Sequence, residues 1–296
     1  MAGRTGGPGG SLRVGEVEVG PDDQVVMAVV NRTPDSFFDQ GAFLDDDAAM
    51  AAVDRAVAEG AAIVDLGGVK AGPGEEVTEA DEVRRVAPFV AAVRRRHPHL
   101  AISVDTWRAS VGRAVCEAGA DLLNDAWQGY DPELAVVAAE FGAALVCSHA
   151  GGLPPRTDPH RVAYDDVVAD VVATVTGLAE RAVAAGVRAD GVLVDAAHDF
   201  GKNTYHSLEV TRRLDELVAT GWPVLLAVSN KKFLGEVLDA DKDGRLEATL
   251  AVTALGAWHG ARVFRAHQVA ATQRVLHTVG AVRGTRAPAV SRRALA

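Results

Sequence analysis

The chain has 296 residues, 48% of them hydrophobic but only 5% aromatic, and carries a formal net charge of −10 at neutral pH. That balance argues against nucleic acid held by general electrostatics or by base stacking, and no apolar run approaches the ~18 residues of a membrane span. The two cysteines, Cys116 and Cys147, form neither a CxxC pair nor a metal-ligand spacing, so a reduced pair in a soluble, cytoplasmic protein is expected.

In chain order, residues 1–20 are rich in Gly and polar side chains and lack an apolar leader core, so they read as a flexible arm with a short strand at Val14–Val19. Eight short apolar runs follow: Val25–Val30, Ala61–Leu66, Ala101–Val104, Asp121–Leu123, Ala143–Val146, Gly191–Val194, Pro223–Val228 and Arg262–Phe264. Each precedes a stretch at helical spacing: Asp46–Glu59, Glu79–Arg95, Ala109–Ala118, Pro132–Phe141, Asp165–Ala185, Tyr205–Thr220, Leu246–His259 and Gln268–Val279. Continuous rather than alternating apolar runs indicate strands buried on both faces, as parallel strands are beneath helices. Gly60, Gly119, Gly142, Gly186, Gly221 and Gly260 stand where helices should end in the left-handed conformation. Eight such units predict a single-domain (β/α)8 TIM barrel over residues 21–282, with a doubly wound open sheet as the alternative. From residue 283 to 296 the chain reads as a solvated basic tail containing Arg286, Arg292 and Arg293.

Polar residues gather at the C-terminal ends of these runs: Asn31, Asp65, Asp105, Asn124 and Asp125, His149, Asp195, Ser229 to Lys232, and Arg265 with His267. In a barrel these ends meet at one mouth, the usual place for an active site. The carboxylates Asp105 and Asp195 can share a proton, bind a metal, or accept from the N–H groups of a flat ring. No His-x-His or Glu-x-x-His accompanies them, which weakens a transition-metal site. Lys231 adds a cation, and Arg265 and His267 are expected at the start of the last helix, where an anion is favoured. The mouth therefore suits a planar heterocycle beside a phosphate. The run Asp239-x-Asp241-x-Asp243-Gly244 opens like a calcium loop, but position twelve is Leu250 and no helix is expected before Asp239, so a capping loop is the better reading.

Seven motifs in order carry a resemblance: NRTPDSFFD (residues 31–39), DLGG (65–68), SVDT (103–106), ND (124–125), DAAHDFGK (195–202), VSNKKFLG (228–235) and RAH (265–267). Together they resemble the dihydropteroate synthase family, whose members condense 6-hydroxymethyl-7,8-dihydropterin pyrophosphate with p-aminobenzoate, with Mg²⁺ assisting. The resemblance implies that Asp105, Asn124, Asp195, Lys231 and Phe200 hold the pterin, with Asp105, Asp195 and Lys231 as the catalytic set. It also implies that Arg265, His267 and Asn31 hold the pyrophosphate, that Asn31 helps ligate Mg²⁺, and that the protein is a homodimer.

The pattern breaks around the second substrate. Where the family has Thr-Arg in a mobile loop after DLGG, this chain has Ala71 and Gly72; where it has Ser-Arg-Lys-Ser, the chain has Ser229-Asn230-Lys231-Lys232. The first loop departs at Arg32, Phe38 and Gln40, and Ala196-Ala197-His198-Asp199 replaces Pro-Gly-Ile-Gly. Ala71, Gly72, Asn230 and Lys232 thus mark a degenerate acceptor site. These departures share one substrate, so the expectation is a paralogue that binds a pterin pyrophosphate with condensation impaired or lost. The alternatives are an active synthase with an unusual acceptor loop, and a pterin-dependent methyltransferase.

Overall fold

The computed structural model describes residues 10–31, 42–157 and 162–293, with the backbone alone for 31 and 42–45. Its first element corrects the expectation of an arm up to residue 20. Strands β1 (Leu12–Val14) and β2 (Val17–Val19) pair antiparallel, Leu12 opposite Val19, around Gly15 at φ 55°. Glycine suits that turn because φ is positive and a Cβ would stand 2.7 Å from the Asp121 carboxyl. Leu12, Val14 and Val19 are fully buried. The short strand expected at Val14–Val19 contains β2, but its pairing with β1 was not expected, because strands this short hold too few positions to show a period.

The eight apolar runs form β3 (Val25–Asn31), β4 (Ile63–Gly67), β5 (Ala101–Asp105), β6 (Leu122–Asp125), β7 (Ala144–Ser148), β8 (Val192–Asp195), β9 (Val224–Leu226) and β10 (Val263–Ala266). All neighbours are parallel, and β10 pairs with both β3 and β9 to close the barrel. Alternate residues explain why the runs are apolar throughout. One set, including Val26, Val64, Ile102, Leu123 and Leu145, packs outward under the helices. The other set, Met27, Ile63, Ala101, Leu122, Ala144, Leu193, Leu225 and Val263, turns inward and packs on β1 and β2. The hairpin therefore plugs the N-terminal end of the barrel, and the interior stays open only at the opposite end.

The surrounding helices are α1 (Ala42–Ala58), α2 (Glu79–Arg96), α3 (Ala109–Glu117), α4 (Glu133–Phe141), α5 (Val167–Ala184), α6 (Thr204–Arg212), α7 (Leu214–Val218), α8 (Lys232–Leu238), α9 (Leu246–His259) and α10 (Val269–Arg283). The six glycines expected to end helices all have positive φ, from 65° to 108°. The helix expected over Tyr205–Thr220 breaks at Arg213 into α6 and α7. Helix α8 was not foreseen, because seven residues are too few to establish a period. It immediately precedes Asp239, contrary to the sequence reading of that segment. The loop nevertheless behaves as a turn, with Asp241 Oδ1 accepting from the N–H groups of Asp243 and Gly244. Beyond α10, residues 285–293 are exposed. The first-loop residues Arg32, Phe38 and Gln40 lie outside the described residues, as does the side chain of Asn31.

Candidate active site

The inward alternation that buries Met27 and Ile63 at the bottom carries polar residues two or four positions further up. Asp65, fully buried on β4, collects Ser103 Oγ at 2.5 Å, Asn124 Nδ2 at 3.2 Å and Arg265 Nε at 2.6 Å. Arg265 also reaches Asp105 Oδ2 from Nη2 at 3.2 Å. This corrects the expected position of Arg265: it belongs to β10, shares the inward parity of Met27 beside it, and is aimed across the barrel rather than placed at the start of α10. The sequence places Asp65 at the expected mouth without giving it a role; its inward parity is the signal that ties it to Arg265.

Above this layer lies a cavity of about 360 Å³ lined by Asp105, Asn124, Asp195, Phe200, Lys231, Arg265 and His267, among others. It gathers every described side chain assigned to the ring and the phosphate. Burial raises Asp105 to about 7, with Arg265 opposing and Asp65 reinforcing the rise. Burial likewise raises Asp195, whose Oδ1 accepts from the Ala197 N–H at 2.8 Å. Lys231 has its ammonium 4.3 Å from the Phe200 ring centroid, and burial lowers its pKa. His267 is pushed down to about 4 by burial and then by Arg265, so it is neutral near pH 7; its Nδ1 lies 3.0 Å from Ser229 Oγ. The cavity thus offers two carboxylates, an amide and an ammonium to a flat, N–H-rich ligand.

A second cavity of about 520 Å³ adjoins the first and shares Ala71, Phe200 and Lys231 with it. Ala71, Gly72, Asn230 and Lys232, the four residues expected from the sequence to mark a degenerate acceptor site, all line it. At Gly72 a Cβ would meet nothing within 4 Å, so the missing side chain leaves open space. That loop is instead tied down by Arg156, which donates to the carbonyls of Gly72 at 3.2 Å and Glu75 at 2.7 Å. Asn230 has φ 58°, a conformation Asn tolerates better than Arg does, and its carbonyl accepts from Arg245.

The most consequential contact is one the sequence did not reveal. The Asp199 carboxylate accepts from the backbone N–H groups of Lys232 at 2.6 Å and Phe233 at 3.3 Å. It thereby takes up the first two free donors of α8, beside Lys232 itself. Asp199 and Ala197 hold φ of 70° and 48°, at two positions where the resembling motif has Gly.

The described residues contain no cluster of three or more His, Cys, Asp or Glu able to hold a metal. Asp65 and Asp105 are already engaged by Arg265. This donor set fits Mg²⁺ only as an ion carried largely by substrate phosphates and water, the usual habit of that ion.

The family model described as pterin binding enzyme matches residues 27–267. The inactive dihydropteroate synthase 2 of Mycobacterium leprae is 57% identical, over 94% of this chain and 97% of its own. The chain belongs to the dihydropteroate synthase family. The dihydropteroate synthase of the same organism is 40% identical, over 86% of this chain and 92% of its own, so the resemblance is stronger to the relative named inactive. A crystal structure of Yersinia pestis dihydropteroate synthase in a sulfonamide drug complex superposes with a TM-score of 0.85 at 31% identity, covering 93% of this chain and all of that one.

Proposed function

We propose that this chain is a pterin-binding paralogue of dihydropteroate synthase. Its ring cavity accepts 6-hydroxymethyl-7,8-dihydropterin pyrophosphate, and its acceptor end no longer takes p-aminobenzoate. The ring half of the reading is supported by the convergence of Asp105, Asn124, Asp195, Lys231 and Phe200 on one cavity. The observation that carries the loss of condensation is Asp199. By resemblance, the start of α8 is where the acceptor's carboxylate should arrive, and here an internal carboxylate already holds the N–H groups of Lys232 and Phe233. An arriving anion would meet a fixed negative charge, with the first two N–H groups of α8 already taken. Missing positioning groups can govern several kcal/mol of a barrier, and the relative named inactive agrees with that outcome.

The proposal extends to Mg²⁺ on the diphosphate with Asn31 as its protein ligand, to a homodimer, and to the cytoplasm. Among the described residues no helix is long and apolar enough to cross a membrane. In the reaction as the family performs it, the diphosphate leaves from the pterin methylene and an arylamine attacks. Asp105 and Asp195 would orient the ring for this, Lys231 would read its polar edge, and Mg²⁺ when bound would stabilise charge on the leaving diphosphate. The test is calorimetry with the pterin pyrophosphate, followed by product assay with p-aminobenzoate. The expected result is binding that Asp105→Asn or Asp195→Asn weakens by more than ~1.5 kcal/mol, the scale of a lost charged hydrogen bond, with no product. Failure to bind at millimolar ligand overturns the first half; ordinary turnover of ~1 s⁻¹ or more overturns the second.

A further inference from the structure

The segment that connects β8 to α6 walls both cavities through Phe200, yet its backbone is held in unfavourable conformations. Ala197, Asp199 and Gly201 all lie at positive φ, 48°, 70° and 57°. Two of these are not glycine, so the surrounding contacts must over-determine the shape. The main contact is Lys202. Its side chain is only 2% exposed, and its Nζ lies 2.9 Å from the carbonyl of Phe200, 3.3 Å from that of Ala197 and 3.1 Å from that of His149. The fourth neighbour is His149 Nδ1 at 2.7 Å. Among the described residues no carboxylate is within hydrogen-bond reach of this ammonium. A buried charge without a partner is strongly disfavoured, and a counter-charge is supplied one ring away: His149 Nε2 lies 2.7 Å from Asp170 Oδ1 on α5. With Nε2–H donating to Asp170, Nδ1 is left to accept from Lys202. The tautomer, and with it the chain of contacts, follows from the two partners.

We propose that Asp170, His149 and Lys202 form a relay from the outer surface of α5 to the pocket wall, in which Lys202 is the positioning residue that keeps Phe200 against the ring cavity. Phe200 is where the effect reaches the ligand. Its ring lies 5.0 Å from Trp127 and 4.3 Å from the Lys231 ammonium. A charged Lys202 has three N–H donors for the three carbonyls and the imidazole; neutral, it has two and releases part of the loop. The charged and titratable groups facing Lys202 are Asp195 from β8, Lys231 before α8, Asp199 and His198 in its own loop, His206 on α6, and the relay pair itself. Burial, with Lys231 adding, pushes Lys202 down to about 7, while Asp195, Asp170 and Asp199 hold it up.

The ligand part of this inference rests on the proposed pterin reading, and the first experiment is chosen not to. Asp170 is half exposed, so Asp170→Asn removes the counter-charge without opening the core. In thermal unfolding of the ligand-free proteins, the coupling raises the folded pKa of Lys202. Its stabilisation is therefore full on the acid side and fades as pH rises through about 7. The expected result is a Tm deficit of Asp170→Asn that is largest at pH 5.5–6 and shrinks by pH 9. A deficit constant across that range overturns the relay, whatever the ligand proves to be. In the second experiment, affinity for the pterin pyrophosphate is compared between variant and parent at each pH, so that titrations common to both, such as that of Asp105, cancel. The variant should bind several-fold more weakly at pH 7.5 and nearly equally at pH 5.5. Lys202→Arg should retain more binding than Lys202→Met. An affinity ratio that does not change with pH, or equal binding by both lysine variants when both are folded, overturns the positioning role.

Discussion

Replacing Asp199 by glycine isolates the contact on which loss of the acceptor turns. Asp199 makes two hydrogen bonds to backbone N–H groups, at 2.6 and 3.3 Å, and is partly exposed. Net bonds to a charged acceptor contribute ~1.5–3 kcal/mol each. Exposure and the length of the second bond reduce the pair to about 2 kcal/mol. Against this loss, Asp199→Gly relieves a left-handed non-glycine conformation of ~1–2 kcal/mol and adds ~0.5–1 kcal/mol of chain entropy to overcome. The fold should therefore lose only ~0.5–2 kcal/mol, and Tm should fall by no more than ~5 °C for a domain of this size. The ligand effect should be larger than the fold effect. The vacated N–H pair becomes available to an arylcarboxylate, and a competing negative charge is gone. Recovering about 2 kcal/mol corresponds to ~30-fold tighter binding. The assay is calorimetry with p-aminobenzoate or a sulfonamide, in the presence of the pterin pyrophosphate. A folded Asp199→Gly protein that binds the pterin normally, yet gains no affinity for the arylcarboxylate, would refute the reasoning.

Three further outcomes follow from the same contacts. Restoring Ala71→Thr, Gly72→Arg, Asn230→Arg and Lys232→Ser should yield product in a discontinuous assay only when combined with Asp199→Gly, because the α8 donors otherwise stay occupied; equal activity with and without Asp199→Gly would contradict this. Since burial raises Asp105 to about 7 and ring N–H donors need its ionised form, pterin affinity should fall as pH drops below 7, by up to ~tenfold per unit, and Asp105→Asn should flatten that titration. The sign for stability is opposite: the Asp105 contribution to the ligand-free fold is full below its unfolded pKa and is lost as pH rises through about 7. Leu12→Ala, at a fully buried hairpin position, should cost ~2–5 kcal/mol in chemical denaturation; a cost below ~1 kcal/mol would mean that the hairpin is not part of the core.

The barrel was legible because its strands are buried on both faces, a local signal that repeats eight times, and because six of the expected helices end at glycine. The cavity residues were legible for a related reason: Asp105, Asn124 and Asp195 stand at strand ends, and closure of a parallel sheet brings all such ends to one mouth. Strand parity in the sequence would also have placed Arg265 in the interior beside Met27. Tertiary structure alone decided the rest. The hairpin Leu12–Val19 is too short to show a pattern until the barrel bottom gives its three apolar side chains something to cover. Asp199 reads as an ordinary loop acid until a left-handed turn points it at a seven-residue helix 33 positions away. Lys202 looks like the tail of a motif, but its charge is compensated through His149 by a residue on another helix. Local spacing determines which elements form, whereas a hydrogen bond between distant residues exists only once the chain has closed around it.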